Sequence, residues 1–226
     1  MPNTYNITIK NHSGSLQQYA LFNQVPKVSG RVQDQVWSNI FAVDKAANRQ
    51  EMSFDLVNEY NAIVGKKKRN PSGSVTVTVT GTEPVTLGTV QPNGQPVPGT
   101  SLSMIVEQDV PQFSTNALPN SSFPNAYEIR TGTFSNSDAK SEGYMIGLGA
   151  TGGSDGPAAT FIPEAQTSYQ IQPVNTYYIA VGDYKRGQLI DVTKIGQVCQ
   201  VDFTKLPRNV VVVHDDMGNL TVQLNA

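Results

Sequence analysis

Cysteine, histidine, tryptophan and charge are all scarce in this chain, and each scarcity closes off a class of chemistry. Cys199 is the only cysteine among 226 residues, so no internal disulfide framework exists. A thiol or hydroxyl nucleophile would have to recruit one of only two histidines, His12 and His214, and no Gly-x-Ser-x-Gly elbow is present to carry a serine nucleophile. Charged residues make up 15% of the chain, against about 25% in an average soluble domain. The net charge is -2 and the pI is near 5.7.

These shortages exclude partners as well. A nucleic-acid protein needs a concentrated basic face to release counterions from phosphates. Here the one basic cluster, Lys66 to Arg69, reads as a hairpin turn. No stretch approaches the roughly 18 apolar residues of a membrane-spanning helix. The opening Met-Pro-Asn-Thr-Tyr lacks the charged and apolar regions of a secretory signal. The expected protein is cytoplasmic, or secreted without a visible signal peptide, with no nucleic-acid partner and no membrane span.

What replaces charge is Asn, Gln, Ser and Thr. A surface of this kind hydrogen-bonds to neutral polar partners such as sugars. Along the chain, short alternating runs dominate. Tyr5 to Lys10 reads Tyr-Asn-Ile-Thr-Ile-Lys, a strand with one buried face, and Gln18 to Asn23 follows it across a turn, so the two predict a hairpin. Val25 to Gly30 is loop-like. Gln35 to Val43, with Trp37, predicts a strand or a short helical segment, and Asp44 to Glu51 is a weak helix candidate. Ser74 to Gly81 alternates Val with Thr, which suits a half-solvated sheet.

Pro84, Pro92, Pro96 and Pro98 remove backbone donors between Thr82 and Thr100, making that segment a long connection. Ser101 to Glu107 resumes a strand, and the Pro- and Asn-rich Pro111 to Pro124 forms a seam. Beyond it, Asn125 to Gly132 and Gly143 to Ala150 predict strands around a helical turn at Ser137 to Glu142. Thr151 to Pro163 reads as a Gly-rich loop. Val210 to His214 and Leu220 to Leu224, joined by Asp215-Asp216-Met217-Gly218-Asn219, predict a closing hairpin.

One stretch recurs. Ser168 to Gly187 aligns with Ser53 to Gly73 when Gly182 is set on Gly65, matching Tyr177 with Tyr60, Val181 with Val64 and Lys185-Arg186 with Lys68-Arg69. The expectation is therefore an internal pseudo-repeat, with one β-module at residues 1–110 and a second at 111–226 packed as one body. Strands this short and numerous imply an all-β fold, an antiparallel β-sandwich or a barrel-like architecture.

Motifs that could carry chemistry are few. Gly147-x-Gly149-x-x-Gly152 has the spacing of a dinucleotide fingerprint but leads into Gly153-Ser154-Asp155-Gly156-Pro157, a poor helix start, so no nucleotide is expected. His214, Asp215 and Asp216 gather at a strand end. Neighbouring strand residues point to opposite faces, so this trio does not converge on one ion, and neither metal nor cofactor is called for. Trp37, Tyr177 and Tyr184 could serve as ring platforms.

Where the two repeat copies differ, function is most expected, which adds Asp183, His214 and Asp216 to the candidate ligand-binding set of Trp37, Tyr177 and Tyr184. The leading expectation is a non-enzymatic binding protein of lectin-like chemistry for a small molecule or glycan, neutral and polar or amphipathic. Self-association into a homo-oligomer is compatible with it. The alternative is a metal-free isomerase or cyclase that works by positioning its substrate.

Overall fold

Period-2 alternation sets the first strand as the sequence predicts: β1 (Thr4–Asn11) buries Ile7 and Ile9 completely while Thr8 and Lys10 stay partly exposed. The structure is a computed structural model that describes residues 4–71, 73–116, 118–121, 123–150, 156–192 and 195–223. After β1 come β2 (Gln17–Asn23), β3 (Lys27–Ser29), β4 (Trp37–Ala46), β5 (Glu51–Val57), β6 (Tyr60–Arg69) and β7 (Val75–Val85). A short pair, β8 (Thr89–Val90) and β9 (Pro96–Val97), leads to β10 (Ser101–Glu107), β11 (Val110–Phe113) and β12 (Tyr127–Thr131). The helix α1 (Asn136–Ser141) precedes β13 (Tyr144–Gly149), β14 (Pro157–Phe161), β15 (Ser168–Gln172) and β16 (Thr176–Val181). Last are β17 (Leu189–Ile190), β18 (Val198–Asp202), β19 (Asn209–His214) and β20 (Leu220–Gln223). No described helix is long and apolar enough to cross a membrane.

The all-β expectation holds. A four-stranded sheet runs β20-β19-β1-β5, a five-stranded one runs β11-β10-β12-β15-β3, and the largest runs β18-β16-β2-β4-β14-β13-β6-β7 with β17 also on β4. Pairing is antiparallel except for β1 with β19 and β10 with β12. One continuous apolar core joins the layers. On one side it takes in Ile7, Ile9, Phe54 and Val212 together with Tyr19, Leu21 and Phe41 of the large sheet. On the other, the Phe161 and Tyr169 rings meet at 5.0 Å and the Tyr127 hydroxyl donates to Gly147 O at 3.0 Å. Burying each of these large side chains contributes about 1.5–3 kcal/mol relative to leaving it exposed. A second cluster of Ala20, Phe22, Ile40, Ala180 and Ile190 covers the opposite face of the large sheet. That double covering is why Tyr19-Ala20-Leu21-Phe22 is apolar throughout instead of alternating.

Several local expectations are corrected. β1 and β2 form no hairpin: β1 lies between β19 and β5, and β2 lies between β16 and β4. Asp44 to Glu51 holds no helix, because β4 runs on to Ala46, paired with Gln17, and the chain then turns through Arg49 at φ 64° into β5. Lys27 to Ser29, within the expected loop, pairs with β15 as an edge strand. Pro157 to Phe161 is a fully buried strand, not part of a Gly-rich loop; residues 151–155, and with them Gly152 of the glycine motif, lie outside the described residues. The basic run Lys66 to Arg69 belongs to β6, and the turn comes one residue later at Asn70.

The pseudo-repeat is not confirmed. Tyr60 and Tyr177 both sit in strands, but β6 pairs with β13 and β7 whereas β16 pairs with β2 and β18. Gly65 lies inside β6 while Gly182 follows β16 with φ 149°. Strands from residues 1–110 and 111–226 alternate within the sheets, as β2 beside β16 and β1 beside β19 illustrate.

Part of the large sheet closes on itself. β4 pairs with β14, β14 with β13, β13 with β6 and β6 with β7. β17 completes the circuit, with Leu189 and Ile190 on Asn39 and Ser38 of β4, and Gln188 bridged to Thr76 of β7. The result is a small six-stranded ring built onto a sandwich.

Candidate functional site at the mouth of the ring

Strand parity decides which side chains face into the ring. On β6 and β7, Lys67 lies opposite Val77 and Arg69 opposite Val75, so these four share a face. On β4, Trp37 lies opposite Thr160 of β14 and Asn39 opposite Leu189 of β17. The two sets meet at one end of the ring, where Trp37, Lys67, Arg69, Val75, Leu189 and Ser141 line a cavity of about 330 Å³.

The depth of the ring is polar but satisfied. Thr160 and Asn39 are both fully buried, the Thr160 hydroxyl donating to Asn39 Oδ1 at 3.0 Å and Asn39 Nδ2 donating to Gly187 O at 3.3 Å. These bonds tie β4, β14 and the approach to β17 together, so the staves around Trp37 are held by side chains as well as backbone.

At the mouth, Trp37 is half-buried and Lys67 Nζ stands 6.0 Å from its ring centroid, a geometry that contributes about 0.5–1 kcal/mol. Lys67 and its neighbour part ways because successive strand residues point to opposite faces. Lys66 goes to the outer side, 2.9 Å from Glu142 and 5.5 Å from the Tyr144 ring centroid. Among the described residues, Lys67 and Arg69 have no carboxylate partner. The Lys67 amide donates to Gly143 O at 2.8 Å, and Gly143 has φ 71°. A Cβ at Gly143 would come within 2.4 Å of Lys67 Cγ, so the glycine leaves the room that the lysine stem occupies.

The other sequence candidates lie elsewhere. Tyr177 is core, its ring 6.3 Å from Phe41 and 5.8 Å from Phe203. Tyr184 is half-buried against the second apolar cluster, with its carbonyl accepting from Gln18 Nε2 at 2.7 Å, and Asp183 beside it is exposed. His214 is 4% exposed at the end of β19, its Nδ1 sharing a 3.0 Å hydrogen bond with the Tyr19 hydroxyl. Desolvation holds the His214 imidazole below its ordinary range against the opposing pull of Asp215, and burial pushes the Tyr19 hydroxyl up to about 12. Asp216 is exposed in the following turn, where Asp215 Oδ1 accepts from the amides of Met217 and Asn219. Of the six, Trp37 alone lines the cavity at the ring mouth. Cys199 is a buried core residue opposite Ile179, its thiol pushed up to about 11 by desolvation.

A family model described as RhiA matches residues 2–225. The chain belongs to the RhiA family. No curated protein and no solved structure gives a significant match, so the case for what this RhiA chain does rests on its own residues. A second hollow of about 590 Å³ lies beside Tyr60, Pro84, Val85 and Leu87. It offers a tyrosine whose hydroxyl already donates to Asn175 Oδ1 at 3.3 Å and no cation, so the ring mouth is the better equipped of the two.

Lys67, Arg69, Val75, Leu189 and Ser141 escape the sequence reading. The signal for the first three is present: Asn70-Pro71-Ser72-Gly73 is a stronger turn sequence than the basic run before it. Placing the turn there makes Lys67 and Arg69 strand residues two apart on one face.

Proposed function

We propose that this RhiA-family protein is a non-enzymatic binding protein for a small polar or amphipathic ligand, lectin-like in chemistry, with the ring mouth as its site. The observation that carries the reading is the half-buried Trp37 face bordering a cavity of about 330 Å³, near the lower end of the range usual for small-ligand sites. An indole beside hydrogen-bonding groups takes the apolar face of a sugar or a flat amphiphile while its surroundings satisfy the polar edge. Binding is favoured over isomerase or cyclase catalysis because the described lining residues offer no carboxylate, imidazole or thiol to move a proton near neutral pH.

Trp37 is the only tryptophan, so emission on selective excitation reports on this site alone. Titration with small sugars and ring-bearing amphiphiles is expected to give a saturable change in that emission, and titration calorimetry is expected to show the same binding weakened in Trp37→Phe, whose fold is checked by circular dichroism. Native mass spectrometry of freshly purified protein is expected to retain a small molecule. A flat titration across the panel together with a clean apo mass would remove the proposal.

A further inference from the structure

We infer that the ligand of the ring mouth carries a single oxyanion, a carboxylate or a phosphate, held jointly by Lys67 and Arg69 while its ring lies against Trp37. This rests on the binding reading above and adds the charge of the ligand to it.

Lys67 and Arg69 both line the cavity and share a face of β6. Two residues apart on a strand, their backbones are separated by roughly 7 Å, a span that two long side chains can close onto one group. Neither has a carboxylate partner among the described residues, and Glu142, at the same end of the ring, is engaged by Lys66 at 2.9 Å. Among the described residues, the cavity lining contains no acidic side chain. Like charges held this close without a counter-charge repel, and an anion placed between them removes that repulsion and adds charge-assisted hydrogen bonds from an ammonium and a guanidinium.

Background composition does not explain the arrangement. The protein as a whole has net charge -2 and few charged residues, so a cation pair beside the only tryptophan, with Lys67 half-buried and Arg69 exposed at the rim, is a local feature. The volume, about 330 Å³, suits one ring bearing one charged group and not a polymer.

The test compares matched ring compounds by Trp37 emission: glucose, glucuronate and glucose 6-phosphate, and phenylethanol, phenylacetate and phenyl phosphate. In at least one series the anion is expected to bind roughly tenfold or more tighter than its neutral counterpart, with the advantage shrinking as salt is raised. Whether carboxylate or phosphate wins names the source of the oxyanion. Lys67→Met and Arg69→Met, both retaining the wild-type circular dichroism spectrum, are each expected to erase about tenfold of the advantage and leave neutral binding in place. Neutral compounds binding as tightly as their anions, or an anion advantage insensitive to salt in the wild type, overturns the inference and leaves the binding reading standing. No response to any compound, neutral or charged, overturns the inference, and together with a clean apo mass it overturns both.

Discussion

Replacing Glu128 by glutamine tests the polar reasoning applied to this fold, because the carboxylate is 4% exposed and fully engaged. Its Oε1 accepts from the Ser168 hydroxyl and from Gln170 Nε2 at 3.0 Å; its Oε2 accepts from the Ser101 hydroxyl and from Arg130 at 2.8 Å. In Glu128→Gln one oxygen becomes an amine. The serine hydroxyls can rotate to accept from it, but the Arg130 guanidinium can only donate, and the Gln170 amide is held with its nitrogen toward residue 128 by the Ser121 hydroxyl, which donates to its Oε1 at 2.9 Å, so the new side chain faces one of them donor to donor. Keeping the oxygen toward Arg130 is the better choice. The variant then loses the Gln170 bond and leaves that donor unsatisfied, at about 1–3 kcal/mol. It also loses the attraction to Arg130, worth no more than about 1 kcal/mol because the arginine side chain is 42% exposed.

The sum is about 1–4 kcal/mol, which for a protein of this size lowers Tm by about 2–16 °C at neutral pH. Thermal unfolding followed by circular dichroism reads it directly. A drop of less than about 2 °C would refute the reasoning. A second arm uses acid. Burial by itself would raise the Glu128 pKa, but the hydrogen bonds from Arg130, Ser101 and Ser168 and the Arg130 charge outweigh it and hold the carboxyl below its usual range. A carboxyl depressed by folding contributes stability above its unfolded pKa of about 4.3 and loses it as pH falls through the folded value. The glutamine variant has no such proton to take up. The gap between the two proteins should therefore narrow below about pH 4, and a gap that persists unchanged into stronger acid counts against the assignment.

Two further outcomes are expected. Gly65→Ala places a Cβ 2.3 Å from the backbone oxygen of Thr78, at the point where the β6–β7 ladder shifts register; a loss of about 1–3 kcal/mol is expected in urea unfolding, and an unchanged midpoint would show the ring to be looser than described. Cys199 is 5% exposed with its thiol pushed up to about 11, so an aromatic disulfide reagent should leave the native protein unmodified and take up one equivalent in guanidinium; rapid native labelling would contradict the burial of β18.

The fold class was legible because it depends on local signals. Ile7 and Ile9 alternate with polar residues, Val75, Val77 and Val79 with threonines, and Asp215 to Asn219 spell a turn, so these strands and the last hairpin announce themselves. Partner choice is not local. Nothing in Tyr5 to Lys10 says that its neighbour is Asn209 to His214, and so the expected pairing of β1 with β2 failed. Pro157 to Phe161 looked like loop because Pro-Ala-Ala-Thr-Phe lacks alternation, yet a strand covered on both faces needs none. At the site, Trp37 was found as a lone aromatic. Lys67 and Arg69 were read as part of a hairpin turn, since their common direction appears only once β6 is known to continue past Gly65.

The neighbours of β1 have a consequence for how the protein is made. Its partner on one side, β5, ends at residue 57, while its partner on the other, β19, begins at residue 209. At a synthesis rate of about 5–20 residues per second, the second edge of β1 waits roughly eight to thirty seconds after β5 is complete before its partner exists. During that interval it is an open row of donors and acceptors, able to template on another nascent chain. The strand that ends the wait carries Val210-Val211-Val212-Val213, itself a segment that pairs readily when exposed. Correct assembly is thus a race between one late intramolecular pairing and encounters with neighbouring chains, a race that slower synthesis or a crowded ribosome tilts toward aggregation.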